Sequence, residues 1–474
     1  MLNGIEFRRI SLPIAIECNE AGHVARDQHQ HECLPFSTLA VHEVRGFLRD
    51  PRVKEKYRRK DVDFSRDRCF TFSSLAITIL KDRARSAQDR IIRIFEEGAF
   101  GDYPTCPTAS AFYQARAKLV PTFFKDWASI AINSFYTMPS AASLVKKFHG
   151  RLLWSIDCSY LNLPDKDETR RAYIVHRNSV PGSETIQGLA SFAYDVLNDF
   201  PVSTALGTVQ FEPNFMINHH QAISYNKPII LYDRAYANYD TIAQTLNCHA
   251  DFVIRCPLTQ SFKVIEEFNA SGVIDSHVQI KVTSNKNRLA KERGWPLEVQ
   301  VRLVKIMLDD GNVEILLTSL LDQEEYPAHE FKWLYGKRWG VEVGFLRFKV
   351  QLEVECFSSS KDWNILQDFY ATIFIQVFES ILNKAHDHDI LARSKEKALK
   401  HEYHVNKAVA YTSLSVHLVS LFLLENNALE LSLAAIQMET RLCASPIRPG
   451  RHYSREIPKV ARNLKYHKYE KKRR

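Results

Sequence analysis

The chain has 474 residues, 45% hydrophobic and 25% charged, an ordinary composition for a globular protein of two or three domains with a sizeable core. Its nine cysteines are scattered, odd in number and without a CxxC pair, which excludes an obvious disulfide framework and favours reduced thiols. The N-terminal residues lack the long apolar run of a signal peptide, so we expect a cytoplasmic protein.

The net charge of +8 is concentrated at one end of the chain. Residues 448–474 contain eleven Lys and Arg against two Glu, so this segment carries 11 − 2 = +9 and the rest 8 − 9 = −1. Tyrosines and histidines are interleaved with these cations. Two interpretations stay open: a solvated tail, or a flexible arm that binds a polyanion and stacks aromatic rings on it.

The first third of the chain predicts helices. An amphipathic helix is expected over Ser73–Glu97, and its predicted core face consists of Ile77, Leu80, Ile91 and Ile94. A shorter helix before Pro121, with Arg116 and Lys118 projecting from it, is compatible with DNA binding, although such helical pairs are common. Upstream, the histidines and cysteine between 23 and 33 lack the spacing of a zinc site.

From Arg151 the pattern changes to strands. The order is β-β-β-α-β-α-β, with a hairpin signal at Asn198-Asp199. This places Asp157 on the first strand and Asp233 at the end of the fourth. Residues 258–326 are again β-rich, including a predicted strand at 262–268, and we expect them to form an inserted sheet. Residues 361–447 are helical, and the uncharged stretch 408–424 is predicted to be a buried core helix rather than a membrane span.

Between the insertion and the last helices, Glu330–Val350 predicts one helix of about five turns. Four polar residues fall within an arc of roughly 60° on its surface: Tyr335, Arg338, Glu342 and Lys349. Apolar residues lie immediately beside this polar stripe: Trp339, Val343, Leu346 and Val350. A solvated face is one interpretation and a functional edge the other.

The same helix carries three glycines: Gly336, Gly340 and Gly344. Each costs about 1 kcal/mol of helix propensity relative to Ala. We therefore predict that another backbone packs closely on that side of the helix.

Asp157, Asp233 and Glu342 are the acidic residues that the pattern singles out. Capping or turn roles could account for each aspartate alone. Three carboxylates that converge would repel one another unless divalent cations neutralise them, and oxygen ligands favour Mg²⁺ or Mn²⁺. Two such ions about 4 Å apart activate the attacking oxygen and stabilise the leaving oxygen at a phosphodiester. Arg338 and Lys349 could then hold neighbouring phosphates, and Tyr335 could stack on a base or bond a phosphate.

These residues resemble the DDE transposases of bacterial insertion sequences, specifically the cut-and-paste family with a Tyr-Arg-Glu-Lys signature (the insertion sequence four family). Tyr335, Arg338, Glu342 and Lys349 have the spacing of that signature. The segment 157–164 is similar to the block that carries the first aspartate, and 233–236 to the block that carries the second. The strand Phe252–Arg255 is similar to the one that follows.

The resemblance implies an α/β fold, with a ribonuclease H-like mixed sheet, a β-rich insertion and helical regions at both ends. It implies Mg²⁺-dependent cleavage and transfer of DNA strands, with two ions on Asp157, Asp233 and Glu342 and with Mn²⁺ as a substitute. Its implied DNA contacts are Tyr335, Arg338, Lys349, Arg255 and Trp339. Cleavage in the family proceeds through a DNA hairpin with an extruded base, for which Trp295 and Trp333 are the stacking candidates.

The implied partners are the terminal inverted repeats and target DNA, bound by a homodimer in a synaptic complex, with no membrane and a place at the bacterial nucleoid in the cytoplasm. The implied regions are a helical DNA-binding region (1–145), a catalytic core (146–257 and 327–360) split by the insertion (258–326), a helical region (361–447) and the basic tail (448–474).

Two positions depart from the family pattern. Cys158-Ser159 stands in place of the common Gly-Thr, and Ala235 in place of Gly. These departures keep two alternatives open. One is a decayed or regulatory protein that occupies transposon ends without turnover, and the other is a nuclease of the ribonuclease H type without strand transfer.

Overall fold

The structure, a computed structural model, describes residues 35–448 except 67, 82–84, 178–183, 209–211, 259–261, 283–286 and 426. The histidines and cysteine between 23 and 33 and the tail beyond Arg448 lie outside the described residues.

Nine strands of the described chain form one mixed sheet. They are β1 (Leu153–Asn162), β2 (Ile174–Arg177), β3 (Glu184–Asp195), β4 (Phe200–Gly207), β5 (Ile229–Tyr232), β6 (Asp251–Cys256), β7 (Asp275–Lys281), β8 (Glu298–Met307) and β9 (Val313–Thr318). Their order is β2-β3-β1-β5-β6-β9-β8-β7, and β4 also pairs with β3.

The centre of this sheet has the arrangement expected of a ribonuclease H-like fold. β1 runs antiparallel to β3 and parallel to β5, while β3 pairs antiparallel with β4 and β5 parallel with β6. The β3–β4 connection is the predicted tight turn, and Asp199 there has a left-handed φ of 64°. The five central strands are therefore the five that the sequence pattern predicts in this region, and the fold class is confirmed. The short strand β2 was not expected.

The insertion differs from the prediction in two ways. Its strands β7, β8 and β9 do not form a separate sheet, because β9 pairs antiparallel with β6 and so extends the central sheet. The predicted strand at 262–268 is instead a helix, Lys263–Ala270. Its buried residues Ile265 and Phe268 are three positions apart, which is the spacing of a helix face rather than of a strand.

Helices cover both faces of the sheet. In chain order they are α1 (Phe36–Arg49), α2 (Pro51–Tyr57), α3 (Phe72–Leu80), α4 (Ala87–Glu96), α5 (Ala109–Arg116), α6 (Thr122–Thr137), α7 (Asp167–Ala172), α8 (His220–Asn226), α9 (Tyr239–Asn247), α10 (Lys263–Ala270), α11 (Asn287–Glu292), α12 (Phe331–Gly336), α13 (Trp339–Leu346), α14 (Asp362–Leu382), α15 (Lys384–Glu396), α16 (Lys407–Phe422) and α17 (Ala428–Leu442). A small ribbon, β10 (Tyr403–His404) with β11 (Ser445–Pro446), lies outside the main sheet.

The helices before and after the sheet share one hydrophobic core. Trp127 of α6 stacks on Phe374 of α14 with ring centroids 3.9 Å apart, and Phe422 of α16 meets the same tryptophan edge-on. The same core includes Phe192 and Phe200 of the sheet. The two helical regions of the chain thus form one layer against one face of the sheet.

Within this layer, the predicted helix Ser73–Glu97 is two helices, α3 and α4. Each begins at its own cap, because Thr71 and Ser86 accept hydrogen bonds from the backbone N–H groups of Ser74 and Asp89. The four residues of its predicted core face are nevertheless all buried.

Arg116, predicted to project toward DNA, is fully buried instead. It donates hydrogen bonds to Asp368 at 2.9 Å and to Gln367 at 2.8 Å, both on α14. This cation therefore joins α5 to α14 and is not available to a ligand.

One described helix, α14, is long and apolar enough to cross a membrane by length and composition. In its most apolar 18-residue window, 89% of the residues are buried inside the protein. It is thus the central helix of the helical layer. The stretch 408–424 corresponds to α16, which packs beside it as a core helix.

Candidate active site

The predicted five-turn helix is divided into three consecutive pieces. These are α12, α13 and a π-helical turn at Arg347–Gln351. Between α12 and α13 the chain tightens: the N–H of Arg338 bonds to the carbonyl of Tyr335 at 3.0 Å, three residues back instead of four. Gly336 and Gly340 flank this tight turn. The prediction of one regular helix is therefore wrong at both junctions.

The polar stripe faces the sheet. Tyr335 and Arg338 are only 6% and 7% exposed, and Glu342 and Lys349 are half-buried. The apolar residues beside the stripe are the exposed ones, between 41% and 60%: Trp339, Val343, Leu346 and Val350. A solvated polar face would show the opposite distribution, so that interpretation is wrong.

Asp157 and Asp233 lie on the two central parallel strands, toward this stripe. The paired register of β1 and β5 ends at Ser155 and Leu231. Asp157 and Asp233 each lie two residues beyond this last pair on the same face, and the charge of Asp233 acts on Asp157. Asp233 follows directly after β5 and accepts a hydrogen bond of 2.8 Å from the N–H of Ala235, which caps a short 3₁₀ turn. The capping role that the sequence allowed for Asp233 is thus real, and it uses one carboxylate oxygen.

Burial raises the pKa of Asp157 to about 6. A hydrogen bond from the N–H of Cys158 and the charge of Arg338 oppose this shift, whereas the charges of Asp233 and Glu342 add to it. Asp157 is therefore close enough to both other carboxylates for their charges to act on it.

Arg338 lies between two of these carboxylates. One terminal nitrogen donates a hydrogen bond of 2.8 Å to Glu342 Oε1, and the other lies 3.6 Å from Asp157 Oδ2. Its Nε is buried and has no hydrogen-bond partner in the described part of the chain. In this structure the guanidinium thus supplies the positive charge that the carboxylates require, while its own hydrogen-bonding capacity is incompletely used.

Tyr335 supports the site from behind. Its hydroxyl donates to the main-chain oxygen of Tyr232 at 3.3 Å, the residue just before Asp233. Its ring packs with Leu231 and Val253 in the core. This burial is inconsistent with stacking of Tyr335 on a base, because the ring would have to leave the core, whereas a bond from its hydroxyl to a phosphate stays a prediction.

Lys349 is held against β1. Its Nζ donates hydrogen bonds of 2.7 Å to Ser159 Oγ and to the main-chain oxygen of Tyr160. Burial lowers the pKa of this ammonium group, and the charge of Glu355 opposes the shift. Glu355 also accepts a hydrogen bond of 3.0 Å from the N–H of Asn162. The sequence pattern did not single out Glu355, because nothing local marks an acid that meets a strand nearly 200 positions away.

Two of the three residues that depart from the family pattern, Ser159 and Ala235, are accommodated. Ser159 keeps a hydroxyl where the family has Thr, and that hydroxyl receives Lys349. Ala235 has no positive φ, so its position does not require Gly.

The remaining candidates surround this centre at different depths. Arg255 on β6 pairs with Glu314 at 2.8 Å. Trp339 is 58% exposed beneath the guanidinium of Arg338, whereas Trp333 is 48% exposed and stacks on Phe148.

Trp295, the other candidate for stacking on an extruded base, is buried in the core on the opposite side of the sheet. Only 8% of it is exposed, so it offers no free ring face to a base. That expectation is therefore wrong, and Trp333 is the better placed of the two.

The fit to divalent cations depends on donor chemistry and on spacing. Asp157, Asp233 and Glu342 provide the carboxylate oxygens that Mg²⁺ and Mn²⁺ prefer. Among the described residues, no group of three or more His, Cys, Asp or Glu is close enough together to hold an ion as it stands. The three carboxylates are thus the right type of ligand for a divalent cation, but they are not close enough together to bind one. Arg338 lies between Asp157 and Glu342, so its guanidinium must move before the carboxylates can approach a shared ion.

Comparison with known proteins adds one family and one structure. Residues 208–377, or 170 of the 474, match the family described as Transposase DDE domain. The matched range contains Asp233 and the whole polar stripe, and Asp157 lies before it.

Among solved structures, the chain is similar to the cryo-EM structure of a piggyBac transposase synaptic complex with hairpin DNA. The sequence identity is 10% and the TM-score 0.40, over 85% of each chain. A search of the curated proteins finds no match.

Proposed function

We propose that this protein is a DDE transposase that cuts and rejoins the ends of an insertion sequence, within the family that carries the Tyr-Arg-Glu-Lys signature. The observation that carries the proposal is the convergence of Asp157, Asp233 and the stripe with Glu342 at one edge of a ribonuclease H-like sheet. The match of residues 208–377 to transposase DDE domains supports it.

In this proposal Asp157, Asp233 and Glu342 hold two Mg²⁺ ions, with Mn²⁺ as a substitute. When bound, such ions activate the attacking oxygen and stabilise the leaving oxygen of a phosphodiester. The half-buried setting of the carboxylates limits water around the reacting phosphate and strengthens their electrostatic action. Tyr335 keeps the end of β5, and hence Asp233, in place through its hydrogen bond to Tyr232.

The cationic side chains of the polar stripe bind phosphates of the DNA backbone. Arg338 gives up its contacts with Asp157 and Glu342 and binds a phosphate, to which its currently unpartnered Nε can also donate. Lys349 neutralises a second phosphate near Ser159, and Arg255 a third near the end of β6. Trp339 presents its exposed ring beside Arg338, and Trp333 is the candidate for stacking on an extruded base.

The substrates are the terminal inverted repeats of the element and its target DNA, and cleavage passes through a hairpin intermediate. Two copies of the chain bring the ends together in a synaptic complex, at the nucleoid in the bacterial cytoplasm. The cationic segment 448–474 adds sequence-independent attraction to DNA.

The test is the isosteric change Glu342→Gln on DNA that carries the inverted repeats flanking the gene. We expect Mg²⁺-dependent cutting to disappear, while gel-shift affinity for the ends stays within about threefold, because the change neutralises a proposed metal ligand and leaves every proposed DNA-binding side chain in place. Glu330→Gln is the matched control, since Glu330 begins the same helical segment but pairs with His149 at 2.8 Å. A Glu342→Gln variant that cuts at the wild-type rate would refute the assignment.

A second candidate is a DNA-binding protein that occupies ends without turnover. The position of Arg338 favours it, because the guanidinium fills the gap between Asp157 and Glu342. End binding with no nicking in either Mg²⁺ or Mn²⁺ would select this candidate. Nicking without joining to a target would instead indicate a nuclease.

A further inference from the structure

The side of the helical segment that faces away from the polar stripe rests on the β3–β4 hairpin. A Cβ on Gly344 would lie 2.5 Å from the ring of Tyr194, and one on Gly340 would lie 3.2 Å from Val196. Close packing is therefore present at these two positions, but the nearest atoms belong to side chains and not to the backbone that the glycines predicted. At Gly336 an added Cβ would meet no atom within 4 Å, so the prediction is wrong there.

The same hairpin also binds the segment by charge. Arg347, the first residue of the π-helical turn, donates from Nη1 to both oxygens of Asp199, at 2.6 and 2.5 Å. The hydroxyl of Tyr194 donates to Asp199 at 2.8 Å. We name this set the hairpin clamp: Tyr194, Val196 and Asp199 on the hairpin, with Gly340, Gly344 and Arg347 on the helical segment.

The clamp is anchored in the helical layer. Ser380 of α14 donates to the main-chain oxygen of Asp199 at 2.8 Å. Lys407 of α16 lies 3.8 Å from the Asp199 carboxylate and 3.0 Å from Glu379. Burial alone would raise the pKa of Asp199, but Arg347 and the nearby lysines hold it well below its ordinary value. Asp199 is therefore a stable anion with a fixed position.

An ion pair such as that of Arg347 with Asp199 contributes little to the free energy of unfolding. Desolvation of two charges offsets most of their attraction, and apolar replacements of buried pairs are often neutral or stabilising. In some proteins such a pair instead fixes one conformation. Here it lies five residues after Glu342 and two before Lys349, on a helical segment whose other side bears the proposed catalytic residues.

Rotation of the segment about its own axis is the movement that matters for the site. A side-chain end lies about 6 Å from a helix axis, so a rotation of about 20° moves it by roughly 2 Å. That distance exceeds the tolerance of a carboxylate that binds a metal ion. Glycine packing sets the distance of the segment from the hairpin, and the off-axis pair of Arg347 and Asp199 resists rotation.

We propose that Asp199 and Arg347 are positioning residues, which set the rotation of the helical segment and thereby bring Glu342 and Lys349 to Asp157. The proposal rests on the proposed function for its consequence, because it assigns a role in assembling the same site. Neither residue touches a reacting atom.

The experiment compares Asp199→Asn, Arg347→Met and the double variant with the wild-type protein. Single-turnover cutting of end DNA should fall 10- to 100-fold in each, and the Mg²⁺ concentration for half-maximal rate should rise at least fivefold, because Glu342 is displaced. Affinity for end DNA should fall by a smaller factor than the cutting rate, because Lys349 is only one of the proposed phosphate contacts. The double variant should be no worse than the single ones, and Arg347→Lys should recover part of the rate.

The matched control is Arg288→Met, which breaks a surface pair with Glu292 at 3.2 Å. It should leave every measurement unchanged. Clamp variants that keep the wild-type Mg²⁺ dependence overturn the proposal, as does a loss of DNA affinity in proportion to the loss of cutting, which indicates general unfolding.

A second measurement does not depend on cutting. Hydrogen exchange of the backbone amides in Trp339–Gln351 should become at least tenfold faster in Arg347→Met, with unchanged exchange in α14. If the wild-type protein fails to cut end DNA, the proposed function is refuted. Hydrogen exchange in Arg347→Met then still tests whether the hairpin clamp holds the helical segment in place. Unchanged exchange in this segment overturns the clamp whatever the cutting assay shows.

Discussion

Arg338 and Glu342 form an ion pair of 2.8 Å, one turn apart on the helical segment, and the same guanidinium lies 3.6 Å from Asp157. The pair is largely screened from water, since the side chain of Arg338 is 8% exposed. Carboxylates that would otherwise repel one another are neutralised by a residue of the chain itself.

Replacing this cation should make the protein more dependent on metal. In Arg338→Gln we expect the metal-free protein to lose on the order of 1–3 kcal/mol of unfolding free energy, because two half-buried carboxylates lose their counter-charge. Added Mg²⁺ should then raise its Tm more than it raises that of the wild-type protein. Thermal and urea unfolding with and without Mg²⁺ measure both effects. Lys337→Gln is the control, and equal metal-induced shifts in Arg338→Gln and wild type would contradict the prediction.

Two glycines on the same segment should respond in opposite directions. Gly344→Ala should destabilise the protein by about 1–3 kcal/mol, because its Cβ would lie 2.5 Å from the ring of Tyr194. Gly336→Ala should stabilise it by up to about 1 kcal/mol, because nothing lies within 4 Å and Ala has the higher helix propensity. Urea unfolding of the two variants side by side is the measurement, and equal effects would show that the close contact with Tyr194 has no energetic weight.

A buried histidine should make stability depend on pH. His219 is fully buried, with Ser191 Oγ 2.8 Å from Nε2 and Ser203 Oγ 2.9 Å from Nδ1, and burial lowers its pKa to about 3. In the unfolded chain the imidazole of His219 becomes protonated near pH 6.5, whereas in the native protein it stays neutral until about pH 3. The free energy of unfolding therefore falls as the pH drops from 6.5 toward 3.

The loss should reach about 1.6 kcal/mol between pH 6.5 and 5, because the slope rises from half of 1.36 kcal/mol per pH unit at pH 6.5 to nearly the full value at pH 5. Urea unfolding of wild type and His219→Gln across this range isolates the contribution, because the variant lacks the titrating group. Parallel stability curves for the two proteins would exclude His219 as the cause.

The basic tail gives a prediction that comes from the sequence alone, since residues 449–474 lie outside the described structure. Removing 448–474 should weaken nonspecific DNA binding and flatten its salt dependence. If about five of its cations meet phosphates, the slope of log K against log salt should change by roughly 4 to 5. Binding titrations over a range of NaCl concentrations measure the slope, and an unchanged slope would show a tail that stays in solvent.

Local patterns were sufficient for the central sheet. Alternating and buried apolar runs mark its five strands, and the Asn198-Asp199 turn determines which of them form the hairpin. Once β1 and β5 are parallel neighbours, the meeting of Asp157 and Asp233 follows from register alone. The part of the site carried by strands was therefore predictable.

Features that arise from tertiary packing were not predictable in the same way. The interruptions in the helical segment depend on how it fits the hairpin, and a helical wheel assumes regular geometry throughout. The charge of Arg116 suggested an exposed side chain, but the residue is buried in an ion pair with Asp368. That partner is 252 positions away, so nothing in the local sequence indicates the pairing. The pairing of Arg347 with Asp199, 148 positions apart, likewise has no local signature.

The shared core of α6 and α14 has a consequence for shortened copies of the gene. Trp127 is covered by Phe374 and Phe422, so a chain that stops before residue 362 exposes a large aromatic surface instead of forming a smaller folded protein. During synthesis, more than 200 further residues are translated after α6 before its packing partner α14 is made. Deletions that remove the later helices should therefore yield aggregated or degraded products, and inhibitory variants that still bind DNA should arise by point substitutions in the full-length chain.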